Sequence, residues 1–446
     1  MPSLKKLRYR SACVVFLSAL TIFTPVAPAQ QDEIPPAPPT LSSSEDSNTP
    51  DAPRAERIIE ARPRLYGVTR FLHPVSWTQA GARPVLRLIE RAGFGNVASE
   101  EKAPRISGVK LRIQGLGSGS GFGPEVKPFH NNVFNKGMEV EIPLVVTYKL
   151  YERFGFRANY PLISGGPVDR LGIEVVGDYS SRPSDRFFGI GNDSSKGNES
   201  RFRSVTREAA LALETRVNPH WTLRAESGFR SVGTTQPHAA PSATEVFGSL
   251  DLPGLTSSPG MTMATERIFV ERNTKDNPHV PGSGGLQSVE ASLNEGLSGG
   301  DFAYWRYRAD LQQFFPLSED RRKVLAFRAR VETNQEKGGS QIPVFDLSAI
   351  GGRSTVRGFP GRRFVDKSAL VASTEYRYRI WRHFDWAVFV DGGQVAPEIG
   401  DFAWKRFHTG YGMRFIARTE SKHGVSLDVA RSREGWGVYV DFSPTF

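Results

Sequence analysis

From about Arg105 to the final Phe446, apolar and polar residues alternate in short runs separated by clusters of Gly, Pro, Asn and Asp. Val140, Ile142, Leu144, Val146 and Tyr148 alternate with Glu139, Glu141, Pro143, Val145 and Thr147. Ala303, Trp305, Tyr307, Ala309 and Leu311 alternate with Tyr304, Arg306, Arg308 and Asp310. A period of two sends successive side chains to opposite faces of a strand, so each run predicts a strand with one apolar and one water-tolerant face. Tyr376, Tyr378, Trp386 and Trp436 fall in the apolar sets near strand ends, where a membrane interface favours aromatic rings. The pattern predicts an all-β fold, a transmembrane antiparallel β-barrel over 105–446. Short turns such as Asn218-Pro219-His220 are assigned to the periplasmic side and the Gly/Ser/Pro-rich stretch Ser231 to Pro259 to an outer loop.

The N-terminal quarter reads differently. Lys5, Lys6, Arg8 and Arg10 precede an apolar run from Ala12 to Phe23, and Ala27-Pro28-Ala29 offers a small-x-small cleavage site. Residues 1–29 are therefore expected to be a signal peptide, the run being shorter than the roughly 20 apolar residues a membrane-spanning helix needs. Cys13, the single cysteine, lies inside it. Residues 30–54, with Ile34-Pro35-Pro36-Ala37-Pro38-Pro39, have too little apolar surface to form a core and are expected to be a disordered periplasmic tail. Residues 55–104 form a short pre-barrel segment, in which Val85, Leu88, Ile89 and Ala92 have helical spacing. The N-terminus is thus placed in the periplasm.

Composition changes this picture little. A mean hydropathy of −0.36 suits a barrel whose interior is polar. The formal net charge is +10, and its arginines are spread along alternating strands instead of gathered on one face, which argues against a nucleic-acid surface. The eight histidines show no H-x-x-x-H or H-E-x-x-H spacing, and the glycine-rich run Gly115 to Gly123 matches no phosphate-binding or nucleophile-elbow pattern. No catalytic residue, metal site or cofactor is expected. That glycine run reads as a bendable first strand.

Two segments carry more specific information. Gly351-Gly352-Arg353-Ser354-Thr355-Val356-Arg357-Gly358-Phe359 resembles the V-R-G-F/Y loop of the BamA/TamA-like outer-membrane proteins, the bacterial surface antigen family, and Phe389-Val390-Asp391-Gly392-Gly393 resembles that family's F-x-D-x-G strand. Phe187-Phe188-Gly189-Ile190-Gly191-Asn192 is similar to an F-F-G-I-G-N segment of relatives without periplasmic domains. Asn273-Thr274-Lys275-Asp276-Asn277-Pro278, with Pro281 and Gly284, is similar to a D-T-R-D-N-P-x-x-P-x-x-G turn, departing at Asn273 and Lys275. The closing strand Trp436 to Phe446, with Val438, Val440, Phe442 and a terminal Phe446, looks like a barrel-assembly signal.

The resemblance implies about sixteen strands, for which 105–446 has room at about 10 residues each. It implies that Val356, Arg357, Gly358 and Phe359 tuck into the lumen, with Arg357 against Asp391 and Glu375 of the wall, beside Phe389, and Gly393 leaving room for the loop backbone. Alternation independently puts Ser373, Glu375, Arg377 and Arg379 on the face opposite Tyr376 and Tyr378, and Phe389, Asp391 and Gly393 opposite Trp386, Val388 and Val390. The implied role is insertion of outer-membrane proteins or translocation of polypeptides, worked through a seam between Gly115–Gly123 and Trp436–Phe446. Implied partners are outer-membrane lipid and lipopolysaccharide, unfolded outer-membrane or secreted polypeptides, and the barrel assembly machinery that would fold the chain. The location implied is a Gram-negative outer membrane. The polypeptide-transport-associated domains of the family's assembly factors need about 75 residues each, more than 55–104 supplies. A passive pore or a structural surface antigen without clients is the alternative.

Overall fold

The computed structural model describes residues 106–441, except 118, 165–169, 238–240, 249–251, 256–259, 382 and 419–423. All of these belong to one compact unit. The expected signal peptide 1–29, tail 30–54 and pre-barrel segment 55–104 lie outside the described residues, as do Phe442 and Phe446.

β1 (Ser107–Gln114) and β2 (Gly123–Val133) form a hairpin. β3 (Met138–Glu141) and β4 (Leu144–Val146) are halves of one strand, since both pair with β2 on one side and with β5 (Glu152–Ser164) on the other. Pro143 sits at the break, where it has no N–H to give the ladder. Next come β6 (Arg170–Phe187), β7 (Ser200–Asn218), β8 (Trp221–Thr235), β9 (Met261–Asn273), β10 (Gly284–Ser298), β11 (Ala303–Pro316) and β12 (Lys323–Glu336). The chain then makes a separate small hairpin, β13 (Ser348–Ile350) with β14 (Phe364–Asp366). It returns to the sheet as β15 (Ser368–Trp381), β16 (Phe384–Ala396), β17 (His408–Arg418), β18 (Gly424–Ser432) and β19 (Gly435–Asp441).

Every ladder is antiparallel and joins successive strands, with β12 pairing directly to β15. The main sheet has seventeen segments, and because β3 and β4 share one strand position it has sixteen strands. The strands are shortest at the two ends of the meander. β6 and β7 run to 18 and 19 residues, whereas β1 has 8 and β19 has 7. Among the described residues, β1 ladders only to β2 and β19 only to β18.

Two expectations about boundaries need correction. The glycine-rich run 115–123 is not the first strand. It turns the chain from β1 into β2, with Ser120 Oγ accepting from Leu116 N at 2.9 Å, and Gly117 and Gly121 at positive φ. Nor does the outer loop begin at Ser231: β8 continues to Thr235, and the loop beyond it contains α1 (Ala243–Phe247), opened by a capping box between Ser242 and Glu245.

The two faces of the sheet differ sharply. Val388, Val390, Met413, Phe415, Leu427, Val438 and Val440 are exposed on one side, while Ser373, Glu375, Arg377, Asp391, Arg414 and Asp428 are buried on the other. A charged face is buried here because residues 337–367, the connection from β12 to β15, lie against it. Ile350, Val356, Phe359 and Phe364 of that connection pack on Ala369, Val371 and Val395 of the wall. Ile342, Leu347 and Val365 pack on Val232, Met261, Met263, Phe302 and Tyr304. Val344 joins Phe187, Phe202 and Leu252. One connection thus reaches strands from β6 to β16 on a single face, which requires the sheet to curl around it. The apolar core of the molecule is the contact between this internal loop and the wall.

Candidate functional site

The site is built where residues 351–363 meet β15 to β19. Gly351, Gly352 and Gly358 have φ of 111°, 87° and 92°, a region that L side chains avoid, so these glycines let the loop double back tightly. Thr355 Oγ1 ties the turn by accepting from Gly351 N at 2.8 Å and donating to Gly351 O at 3.0 Å. The turn delivers Arg357 to the wall.

Arg357 Nε donates to Asp391 Oδ2 at 2.7 Å and Nη2 to Oδ1 at 2.8 Å, a two-pronged carboxylate clamp, while its backbone N–H donates to Oδ2 at 3.1 Å. Nη1 donates to Asp428 Oδ2 at 3.1 Å and lies 3.6 Å from Glu375 Oε2. The guanidinium carbon sits 3.3 Å from the centre of the Phe389 ring, whose face favours a cation. Arg414 donates to both oxygens of Asp428 at 2.7 and 2.6 Å, and Arg377 to Glu375 at 2.5 Å. Arg414 Nη1 also lies 3.0 Å from Glu375 Oε2, but off the hydrogen-bonding axis, so that approach is an ion contact only. Three arginines face three carboxylates, all at most 3% exposed. The balance of charge is what makes such burial tolerable.

The structure therefore brings Arg357, Glu375, Phe389 and Asp391 together. Gly393 lies beside them but does a different job from the one expected: a Cβ there would meet the Val356 side chain at 2.8 Å, so the glycine makes room for a side chain. The loop backbone passes over Gly410 instead, where a Cβ would stand 1.9 Å from Arg357 O. Gly358 N donates to Tyr439 Oη at 3.0 Å, and Tyr439 Oη donates to Phe359 O at 3.3 Å. Val438 and Val440 flank Tyr439 on the outward face. The last described strand thus presents one residue to the loop and its neighbours to the outside.

Arg414, Asp428, Gly410 and Tyr439 were missed from the sequence. The inward parity of Ser426, Asp428 and Ala430 could have found Asp428, but no motif marks it. A second clamp was missed as well. Arg363 Nε donates to Glu434 at 2.8 Å, and its Nη1 and Nη2 donate to Ser194 Oγ and O at 3.0 and 2.8 Å. Ser194 follows the F-F-G-I-G-N segment, in which Asn192 receives a bond from Val395 N at 3.0 Å and donates to Arg406 O at 2.9 Å. The loop is thereby tied to β6–β7 and to the β18–β19 turn. In the turn between β9 and β10, Asp276 Oδ1 accepts from Gly282 and Ser283, and Asp276 pairs with Arg321 at 3.1 Å.

Elsewhere on the loop, Asp346 accepts from Arg230 Nη1 at 2.8 Å and Tyr304 Oη at 2.6 Å. Burial by itself raises this carboxyl, but the Arg230 and Arg306 guanidiniums overcome it and hold the group well below the usual carboxylate range. Among the described residues, no group of three or more His, Cys, Asp and Glu is placed to hold a metal ion.

A sixteen-strand antiparallel meander with an apolar outer face, a charged inner face and an inward-packed loop defines the β-barrel class of outer-membrane protein. The Omp85 superfamily domain matches residues 132–443, and the chain belongs to the Omp85 superfamily of outer-membrane β-barrel proteins. Among solved structures, BamA from Haemophilus ducreyi lacking POTRA domains 1-3 aligns with a TM-score of 0.55 at 14% identity, over 82% of this chain and 77% of that one. CdiB from Acinetobacter baumannii aligns with a TM-score of 0.49 at 12% identity, over 76% of this chain and 60% of that one. The former likeness is one of fold.

Proposed function

We propose that this chain inserts polypeptides into the outer membrane or passes them across it, through a seam between β1 and β19. The observation that carries the reading is an asymmetry in the wall. β15 to β19 are clamped from inside by the Arg357 network and Tyr439, whereas β1 pairs with β2, whose next ladder, to the interrupted strand β3/β4, has only five residue pairs. A joint between a braced side and a weakly laddered side is where a sheet opens most cheaply, and an opened edge offers unpaired N–H and C=O groups to an incoming strand. Clients would be unfolded outer-membrane or secreted polypeptides, in a lipid and lipopolysaccharide environment, with the chain itself folded by the barrel assembly machinery and its N-terminus in the periplasm. The internal loop opposes a wide open pore.

The test is reconstitution. Purified protein in lipid vesicles should accelerate membrane insertion of a small unfolded barrel client and give small, flickering single-channel currents. A steady large conductance with no effect on client folding would instead make it a passive pore. Neither conductance nor client effect would leave the structural-antigen reading.

A further inference from the structure

Behind the loop, on the side away from the Arg357 network, lies a cavity of about 360 Å³ between β6, β7 and β8 and residues 345–362. Arg182, Arg230 and Arg362 border it, together with Asp185 and Asp346. The two acids are already taken. Asp185 is paired with Arg182 at 2.6 Å, and Asp346 is shared between Arg230 at 2.5 Å and Arg306 at 3.5 Å. Arg362 is left over: among the described residues it forms no ion pair, its Nη2 reaches only Val344 O at 3.4 Å, and its buried Nε has no partner.

Two further features set Arg362 apart. Its φ is +54°, a left-handed conformation that L side chains rarely adopt. Such strain persists only where the surroundings fix it, here by the flanking Arg363 clamp. Burial also pulls its guanidinium below its ordinary range, with Asp185 too weakly coupled to restore it. The fold therefore holds an unmatched cation, its Nε buried, at the wall of a cavity.

The remaining polar groups on the cavity wall are hydroxyls. Ser204 and Thr206 come from β7 and Ser354 from the loop, and none of the three makes a side-chain hydrogen bond among the described residues. The forks of Arg182 and Arg230 are occupied by Asp185 and Asp346, so Arg362 is the guanidinium left to meet an anion. A guanidinium and several hydroxyls carried by both wall and loop around one cavity suit a tetrahedral anion with three free oxygens. A cavity of this volume also falls within the range that holds a small molecule and not merely a bare ion.

We propose that this cavity binds a phosphate monoester or phosphodiester headgroup, with Arg362 as its charge partner and Ser204, Thr206 and Ser354 as hydroxyl donors. Bound there, the anion would link the loop to β7 and add a further tie beside the Arg357 and Arg363 clamps and the Asp346 ion pairs. The ligand would come from a lipid headgroup or from free phosphate, which share this chemistry.

The experiment titrates the full chain, purified in phosphate-free detergent, with sn-glycerol 3-phosphate and separately with inorganic phosphate, using chloride at matched ionic strength as the reference. Calorimetric binding and a rise in Tm beyond that in chloride are expected. Tighter binding of glycerol 3-phosphate points to a headgroup and equal binding to free phosphate, and either supports the site. Arg362→Gln should weaken binding about tenfold or more, and Arg362→Lys should recover part of it. Thr206→Val provides a second variant on the opposite wall should Arg362→Gln fail to fold, and it too should weaken binding. The proposal is overturned if the wild-type protein responds no more to either phosphate than to chloride, or if folded variants bind as well as wild type.

Discussion

Removing Arg357 leaves Asp391 with only the backbone N–H of residue 357 for company from the loop, in a place where the carboxylate has no exposure. Asp428 keeps Arg414, and Glu375 keeps Arg377 and Arg414, so the uncompensated charge is concentrated on Asp391. Breaking one side of a buried pair costs about 3–5 kcal/mol, and Arg357→Ala is expected near the upper end because the contact with Phe389 is lost as well. Asp391→Ala should cost less, about 3 kcal/mol, since Arg357 retains Asp428 at 3.1 Å and Glu375 at 3.6 Å. The double variant restores two cations against two anions. Its cost should therefore fall short of the sum of the singles by about 1–3 kcal/mol. Urea unfolding of the four proteins in lipid vesicles measures the cycle, and limited proteolysis within 351–363 reports whether the loop has left the interior. Additivity to within about 0.5 kcal/mol would refute direct coupling between the two residues, and with it the loop's attachment through this pair.

Gly410→Ala places a methyl group against Arg357 O at 1.9 Å, backbone that cannot swing aside, so the loop should be displaced and become protease-sensitive. Gly393→Ala meets the Val356 side chain at 2.8 Å, with Leu370 O at 3.1 Å and Ile350 at 3.3 Å, and should be milder, so equal protection of both variants would contradict the packing. At Asp346 the folded pKa lies below the unfolded one, so its stabilisation is present above about pH 4 and lost as pH falls through the depressed value. The difference in urea midpoint between wild type and Asp346→Asn should accordingly be large at neutral pH and shrink toward about pH 2, whereas a pH-independent difference would contradict the ion-pair assignment.

What could be read in the sequence was whatever depended on local period or on a contiguous motif. Alternation in β15 and β16 placed Glu375 and Asp391 on one face because a strand has no other way to distribute its side chains, and strand existence followed from the same rule. Boundaries were harder. Gly115 to Gly123 has the composition of a turn and of a bendable strand alike, and only the pairing of Gln114 with Gly123 decides between them. Ser231 to Thr235 is polar enough to pass for loop, yet it ladders with Arg203 to Arg207.

Arg414, Asp428 and Arg363 were illegible for a different reason. Each is an ordinary charged residue whose significance arises only once a distant segment is laid against it: Asp428 stands 71 positions from Arg357, and Ser194 stands 169 from Arg363. A two-partner reading of Arg357 and Asp391 would have left Glu375 as a buried anion to be explained. The third arginine and third carboxylate supply the explanation, because desolvating one pair is costly unless neighbouring charges satisfy the remaining lone pairs and N–H groups. The same reasoning makes the opposite side of the loop informative. Around Arg357 every charge is matched, so nothing is left to bind; around Arg362 one cation is not, and an ion from outside the chain is the simplest way for that account to balance.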